Sequence, residues 1–228
     1  MYIFQPDRYL LDRQIKKVGH YISGRVLDVG AGEFDRYSRH FASKEYIKMD
    51  IRHKKDVDVV GSIEEIPFPD ESFDSAVCTQ VFEHLENPEK GAKEISRVLK
   101  KGGHLLVTVP QMNELHEEPY DFFRYTNYGV SALFERSGFL VVEISQRGGV
   151  FSNIAQIKIR YAIDRFDLYK RPAIGRLLAP FLSLYGRFGI FLDYIDTSTA
   201  NKKHAIGWCV ILQKNMNNLK RACDDDKK

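Results

Sequence analysis

The stretch Val26-Leu27-Asp28-Val29-Gly30-Ala31-Gly32-Glu33-Phe34 decides the fold. Arg25 to Val29 is a short apolar run that reads as a buried strand, and it leads directly into Gly-x-Gly. The amphipathic segment after it, Tyr37 to Phe41, reads as the start of a helix. Glycines let backbone approach a ligand closely, and a helix N-terminus offers free N–H groups, so strand, turn and helix together make a cradle. About eighteen residues past Gly32, Tyr46-Ile47-Lys48-Met49-Asp50 reads as a second strand ending in a carboxylate. In a doubly wound sheet, an acid roughly 20 residues beyond the glycines meets ribose hydroxyls.

The pattern departs from a dinucleotide site at its third glycine. The fingerprint Gly-x-Gly-x-x-Gly places a glycine where this chain has Asp35. An aspartate there repels a pyrophosphate, and Asp28 adds further negative charge. The loop suits a ligand that carries a ribose and a cation. S-adenosylmethionine, with its ribose, α-ammonium and sulfonium, is such a ligand.

Val26 to Phe34 resembles the first motif of class I S-adenosylmethionine-dependent methyltransferases. Asp50, the stretch Gly61 to Asp74, the run Gln80-Val81-Phe82-Glu83-His84-Leu85 and Arg97 to Gly103 follow in register. Their order resembles the type 11, small-molecule branch, over about residues 20 to 145. The resemblance implies an α/β, Rossmann-like fold: a seven-stranded, mostly parallel sheet with helices on both faces, an antiparallel last strand and S-adenosylmethionine as cofactor. It assigns Asp28, Gly30 and Gly32 to the cofactor loop, Asp50 to the ribose and Ile51 to cofactor binding beside it. After the third strand the family usually carries an aspartate on the adenine amino group. Here Ser62 stands there, beside Ile63 as the apolar wall of the ring. Gln80 falls where the family contacts the methionine moiety.

Composition bounds the rest. The 228 residues are 43% hydrophobic, enough for one sizeable core with an appendage. A formal net charge of +3 lacks the strong basic bias of a dedicated nucleic-acid binder, so no nucleic-acid partner is expected. Cys78, Cys209 and Cys223 are far apart and odd in number, which points to a reducing compartment. Met1 to Arg13 lacks the apolar core of a secretory signal, so the expected location is the cytoplasm, with membrane association open. No His, Cys, Asp or Glu set shows metal-ligand spacing along the chain, so no metal is expected.

Leu10, Leu11, Ile15, Val18 and Ile22 have helical spacing over residues 7 to 22. Such a helix covers one sheet edge or face; the family resemblance implies instead that it closes over the cofactor, with Tyr2, Phe4 and Tyr9 helping to cover the site. Val57 to Val60 and Phe73 to Cys78 read as the third and fourth strands, Pro88 to Leu99 as a helix with Gly102-Gly103 past its end, and His104 to Val109 as the fifth strand. A loop of residues 111 to 126 follows and overhangs the cleft, rich in groups that hydrogen-bond, stack or move protons. Tyr120, Arg124 and Tyr125 are its candidate acceptor contacts. His116 is the candidate general base with His84 as the second, because imidazole titrates near neutrality. The plainer alternatives are that Arg124 pairs with Asp121 or Glu118, that Phe122 and Phe123 are core, that His84 and Glu83 pack or cap, and that Thr126 or Asn127 caps a helix over Gly129 to Ser137.

Gly138 to Ser145 and Ala205 to Leu212 read as the last two strands. Between them, residues 148 to 201 form an apolar and basic helical insert. Ile174, Leu177, Leu178, Phe181, Leu182, Tyr185 and Phe188 share one helical face, broken by Pro180. Phe151 to Ile190 carry seven basic residues against two acids. The insert is expected to serve as a lid or extra core packing, as a homodimer face, or as a contact with an anionic membrane through residues 158 to 190. One domain over 1–214 and a disordered tail over 215–228 are expected. The reading is methyl transfer to a small-molecule, sugar or lipid-linked acceptor. Its rivals are a nucleotide-dependent oxidoreductase, a non-catalytic methyltransferase-like binding module and an RNA methyltransferase.

Overall fold

Period-two burial builds the sheet. In β1 (Ser23–Val29), Leu27 and Val29 pack on one face and Val26 on the other. In β5 (Leu99–Pro110), Leu105, Val107 and Val109 share the first face and Leu106 the second. A strand points successive side chains to opposite faces, so strands apolar at every position are buried on both. The computed structural model describes residues 2–216. The remaining strands are β2 (Ala42–Asp50), β3 (Val59–Val60), β4 (Phe73–Thr79), β6 (Phe139–Arg147) and β7 (Gly207–Lys214). The sheet order is β3-β2-β1-β4-β5-β7-β6, with β7 antiparallel to both neighbours and the other pairs parallel.

Helices cover both faces. α2 (Pro88–Val98) and α3 (Asn127–Arg136) cover the Leu27 face through Ala92, Ile95, Val130 and Phe134. The other face takes α1 (Pro6–Val18) through Leu11, Ile15 and Val18. Pro88 stands at the start of α2, where its missing N–H costs nothing. The Thr126 hydroxyl caps α3 by accepting from the Gly129 N–H at 3.0 Å.

The insert is a pair of packed helices, α4 (Val150–Arg165) and α5 (Pro172–Ile195), followed by the single turn α6 (Thr199–Lys202). They lie on the α1 side and bury Ile3, Ile159, Ile163 and Leu168 between them and the N-terminal segment. The Asp193 carboxylate accepts from the N–H groups of Gly149, Phe151 and Ser152 at 2.8 to 3.0 Å, capping α4 from α5.

Four expectations are corrected. The helix over Tyr37 to Phe41 is absent, and a single 3-10 turn at Ser38–His40 stands in its place. Only eleven positions separate Val29 from Phe41, about the minimum for a parallel crossover, and Tyr37 and Phe41 spend them packing on the α1 cluster. Gly102 and Gly103 lie inside β5, which continues directly from α2. Pro180 does not break its helix; it sits on the exposed side of α5, where a carbonyl that loses its N–H partner is tolerated. Finally, Tyr2, Phe4 and Tyr9 do not cover a cleft; Phe4 is buried and Tyr9 packs beside it under Arg187. The expected disordered tail lies outside the described residues from 217 onward, while Asn215 still donates to the Gly138 carbonyl.

Candidate active site

The carboxyl ends of β1, β2 and β4 open into a cleft of about 700 Å³. Open α/β sheets bind ligands at this edge. Gly30 and Gly32, with φ of 73° and 67°, turn the chain at the end of β1. A Cβ on Gly30 would come within 2.4 Å of the Val81 side chain, whereas one on Gly32 would meet nothing within 4 Å. The loop is pulled toward β2 from two sides. The Gly30 and Ala31 N–H groups donate to the Met49 carbonyl at 2.8 and 3.1 Å, and the Gly32 N–H donates to Asp50 Oδ2 at 2.9 Å.

Asp50 is buried at the cleft edge, with Oδ1 accepting from the Arg52 N–H at 2.9 Å. Each carboxylate oxygen keeps a second lone pair for a ligand hydroxyl. Ile51, Ser62 and Ile63 line the cleft near it, with Ile63 buried as an apolar wall and Ile51 exposed. The Ser62 hydroxyl accepts from the Glu64 N–H at 3.1 Å, which leaves its own O–H free to donate. Gln80 lies on the opposite wall at a φ of 55°, a left-handed conformation that non-glycine residues hold only under constraint. Its amide donates to Thr108 Oγ1 at 3.2 Å. Asp28 differs from its expected place. It is half-buried behind the loop and accepts from the Tyr46 hydroxyl at 2.8 Å rather than facing the cleft. Burial pushes its carboxyl up to about 7, against the pull of the Tyr46 hydrogen bond.

The candidate acceptor residues divide. Tyr120 is exposed and lines the cleft with Phe122 and Glu117. Arg124 does not: it forks onto Asp121 at 2.6 and 2.7 Å and donates to the carbonyls of Asn113, Glu114 and Phe123. That fork holds Asp121 down at about 2. Tyr125 is a core residue, its hydroxyl donating to the Phe82 carbonyl at 3.1 Å. Both are fasteners of the 111–126 loop. The loop is also anchored to the turn Phe82–His84, because the Phe122 and Phe123 N–H groups donate to the Glu83 carbonyl at 2.8 and 3.1 Å.

This anchoring sets the two histidines side by side. His84 lines the cleft, and His116 lies against it with ring centroids 4.8 Å apart and nearly perpendicular. Burial lowers the His84 pKa. One ligand atom each of Glu83, His84 and His116 lie within 4.8 Å of one another. Linear spacing hid this set, because His116 is 32 positions beyond His84 and only the loop anchor joins them. Sequence reasoning also passed over Arg147, a buried cation 2.7 Å from Asp7 and 3.5 Å from Gln80 Oε1.

Charge tests the ligand. The cleft wall carries four carboxylates, Asp50, Glu64, Glu86 and Glu117, against two cations, Arg52 and Lys54. Such a lining repels a pyrophosphate and suits a ligand with cationic centres and a ribose, as S-adenosylmethionine has. Fold and cleft thus define a Rossmann-like enzyme for a cationic nucleoside cofactor.

Residues 27–107 match the family described as a methyltransferase domain. A protein of Methanocaldococcus jannaschii is 29% identical over 174 residues, 68% of this chain and 80% of that one. A probable S-adenosylmethionine-dependent methyltransferase of Mycolicibacterium smegmatis is 27% identical over 173 residues, covering 64% of this chain and 63% of that protein. The solved S-adenosylmethionine-dependent methyltransferase of Mesorhizobium loti shares the fold at a TM-score of 0.53 and 12% identity, over 88% and 96% of the two chains. These matches, over a fold of the same kind, support a class I S-adenosylmethionine-dependent methyltransferase.

Proposed function

We propose that this methyltransferase modifies a lipid-linked acceptor that it meets at an anionic membrane surface. The observation that carries the reading is the outer face of α5. Leu177, Phe181, Leu184, Phe188, Phe191 and Ile195 recur at intervals of four and three, and each is more than half exposed. Apolar stripes of that length on a soluble surface mark an interaction site. Seven basic residues against two acids over 151–190 favour an anionic partner over a second copy of the same basic face. No helix among the described residues is long and apolar enough to cross a membrane, so the contact is with the surface. Arg160 Nε lies 2.5 Å from Glu114 Oε1, which ties α4 to the loop over the cleft and keeps a docked insert beside the acceptor side.

The cofactor supplies an activated methyl group on a sulfonium. The chain's own work is to orient and exclude water. Asp50, the glycine loop and Ile63 hold the nucleoside end, and Gln80, Tyr120 and Phe122 wall the side where the acceptor enters. Alignment of two reactants supplies effective molarities of about 10⁵–10⁸ M, so the site can work without a strong acid or base.

The test is cosedimentation with vesicles of anionic and of zwitterionic lipid. Binding to anionic vesicles is expected, falling with added salt. Phe181→Ser with Phe188→Ser weakens it at least tenfold, since each buried phenylalanine is worth about 1.5–3 kcal/mol. No partition into anionic vesicles sinks the proposal, and a concentration-dependent dimer lost in the same variant assigns the stripe to a second copy.

A further inference from the structure

We propose that Glu83, His84 and His116 form a divalent transition-metal site with open coordination positions facing the acceptor side of the cleft. This rests on the chain being a methyltransferase whose acceptor enters past Tyr120 and Phe122. Three independent features of the cluster support it.

The first is the ligand set. Two imidazoles and a carboxylate, each offering one atom within 4.8 Å of the other two, can converge on one ion. Ligand atoms on a tetrahedral zinc lie about 3.4 Å apart, given Zn–N bonds of about 2.1 Å, so the set closes by small side-chain rotations. Two histidines and one carboxylate leave positions for water or substrate, as catalytic zinc and non-haem iron sites do.

The second is the orientation of the rings. His84 Nδ1 lies 2.6 Å from the Tyr120 carbonyl, and His116 Nδ1 lies 3.0 Å from the Glu114 carbonyl. A carbonyl oxygen only accepts, so each Nδ1 carries the hydrogen and each neutral ring keeps its lone pair on Nε2. Metal-bound histidines are held this way, with the far nitrogen donating to a backbone carbonyl. The same loop bonds fix His116 from behind, since its N–H donates to Asp121 Oδ2 at 3.0 Å and Asp121 is gripped by Arg124.

The third is Glu83. Its side chain is fully buried, and neither carboxylate oxygen has a hydrogen-bond partner. A buried carboxyl with no hydrogen-bond partner on either oxygen keeps its lone pairs open, and a cation between it and the imidazoles would complete it. The Phe122 and Phe123 N–H groups hold the Glu83 backbone at the cleft, so its side chain stays within rotation of the two imidazoles.

A bound ion changes the roles of the two histidines. With Nε2 on the metal neither ring is a general base. The ion instead coordinates an acceptor oxygen at its open position, lowers the pKa of a coordinated hydroxyl and holds it toward the cleft. The ligand class is a divalent first-row ion that accepts imidazole and carboxylate, and the acceptor class is one that presents an oxygen.

The test is Co²⁺ titration of the chelator-stripped full chain, followed by the visible absorption of nitrogen- and oxygen-ligated Co²⁺, with Zn²⁺ as competitor. S-adenosylhomocysteine binding is measured by calorimetry on the same samples. One Co²⁺ per chain is expected, displaced by Zn²⁺. His116→Gln and Glu83→Gln each weaken it at least tenfold while S-adenosylhomocysteine affinity is retained. Glu83→Gln keeps the shape of the buried side chain, and His116→Gln changes a partly exposed loop residue, so both variants keep the fold. Failure to take up Co²⁺, or equal uptake by both variants through other histidines, overturns the metal site. In either case retained S-adenosylhomocysteine binding leaves the methyltransferase reading standing, and its loss in the unaltered chain counts against that reading instead.

Discussion

Asp28 and Asp50 flank the same glycine loop and do different work. Asp50 accepts from the Gly32 and Arg52 N–H groups and keeps a second lone pair on each oxygen at the cleft edge. Asp28 faces Tyr46, and burial raises its carboxyl to about 7 from an ordinary value near 3.8. A folded pKa above the unfolded one means that the folded chain holds the proton more tightly. Stability therefore falls as pH rises from about 4 to about 7 and is level above that. About three pKa units correspond to about 4 kcal/mol, and partial exposure of Asp28 reduces this to about 1–2 kcal/mol. Asp28→Asn is therefore expected to be more stable than the parent at pH 8, with a shallower loss between pH 5 and 8, in urea unfolding followed by circular dichroism. An unchanged pH slope would show that Asp28 is ionised in the fold. Asp50 was legible in the sequence because a strand-end acid at fixed distance from glycines has a geometric role. The part of Arg124 was open to two readings, and only the fork onto Asp121 selects between them. The aromatic Tyr125 gave no sign that its hydroxyl would turn inward to the Phe82 carbonyl.

At the scale of elements, strands and covering helices were readable because burial on both sheet faces leaves continuous apolar runs. Connections were not. The segment Tyr37 to Phe41 has a helix-like pattern, yet its two aromatic side chains are spent on the α1 cluster, and one turn is all the spacing allows. The cofactor loop therefore lacks a helix N-terminus behind it and depends on Asp50 and the Met49 carbonyl for its shape. In the insert, the continuity of α5 through Pro180 follows from solvent exposure, which a pattern of residue types does not encode. The junction of α4 and α5 rests on Asp193, whose carboxylate takes three N–H groups at the start of α4. Gly189 allows the close approach, since a Cβ there would meet the Phe151 carbonyl at 2.8 Å. Asp193→Ala removes the cap and leaves those donors unpaired, which costs about 1–3 kcal/mol. A fall of that size in the urea midpoint is expected. No change would mean that water replaces the carboxylate fully and that the hairpin is held by its apolar contacts alone.

Across the whole molecule, the cofactor side and the acceptor side are built from different halves of the sheet. The ends of β1, β2 and β3 supply one wall of the cleft, the one proposed for the nucleoside, while the loops after β4 and β5 supply the rest. A ligand that touches both therefore ties the two halves together and stabilises only the folded chain. Saturation at a hundred times the dissociation constant adds about 2.7 kcal/mol, and for a chain of this size each kcal/mol moves the melting temperature by about 2–4 °C. S-adenosylhomocysteine is thus expected to raise the melting temperature by about 5–10 °C. Asp50→Asn keeps the shape of the side chain and an acceptor for the Gly32 N–H, but it removes the charge at the ribose position. It is expected to melt somewhat below the parent and to lose most of the ligand-induced rise at equal ligand concentration. His116→Gln, on the far side of the cleft, keeps the rise in full. A shift that is the same in all three proteins would place the ligand away from the β1–β2 edge, whereas loss in Asp50→Asn alone assigns the nucleoside end of the cleft to the glycine loop and its carboxylate.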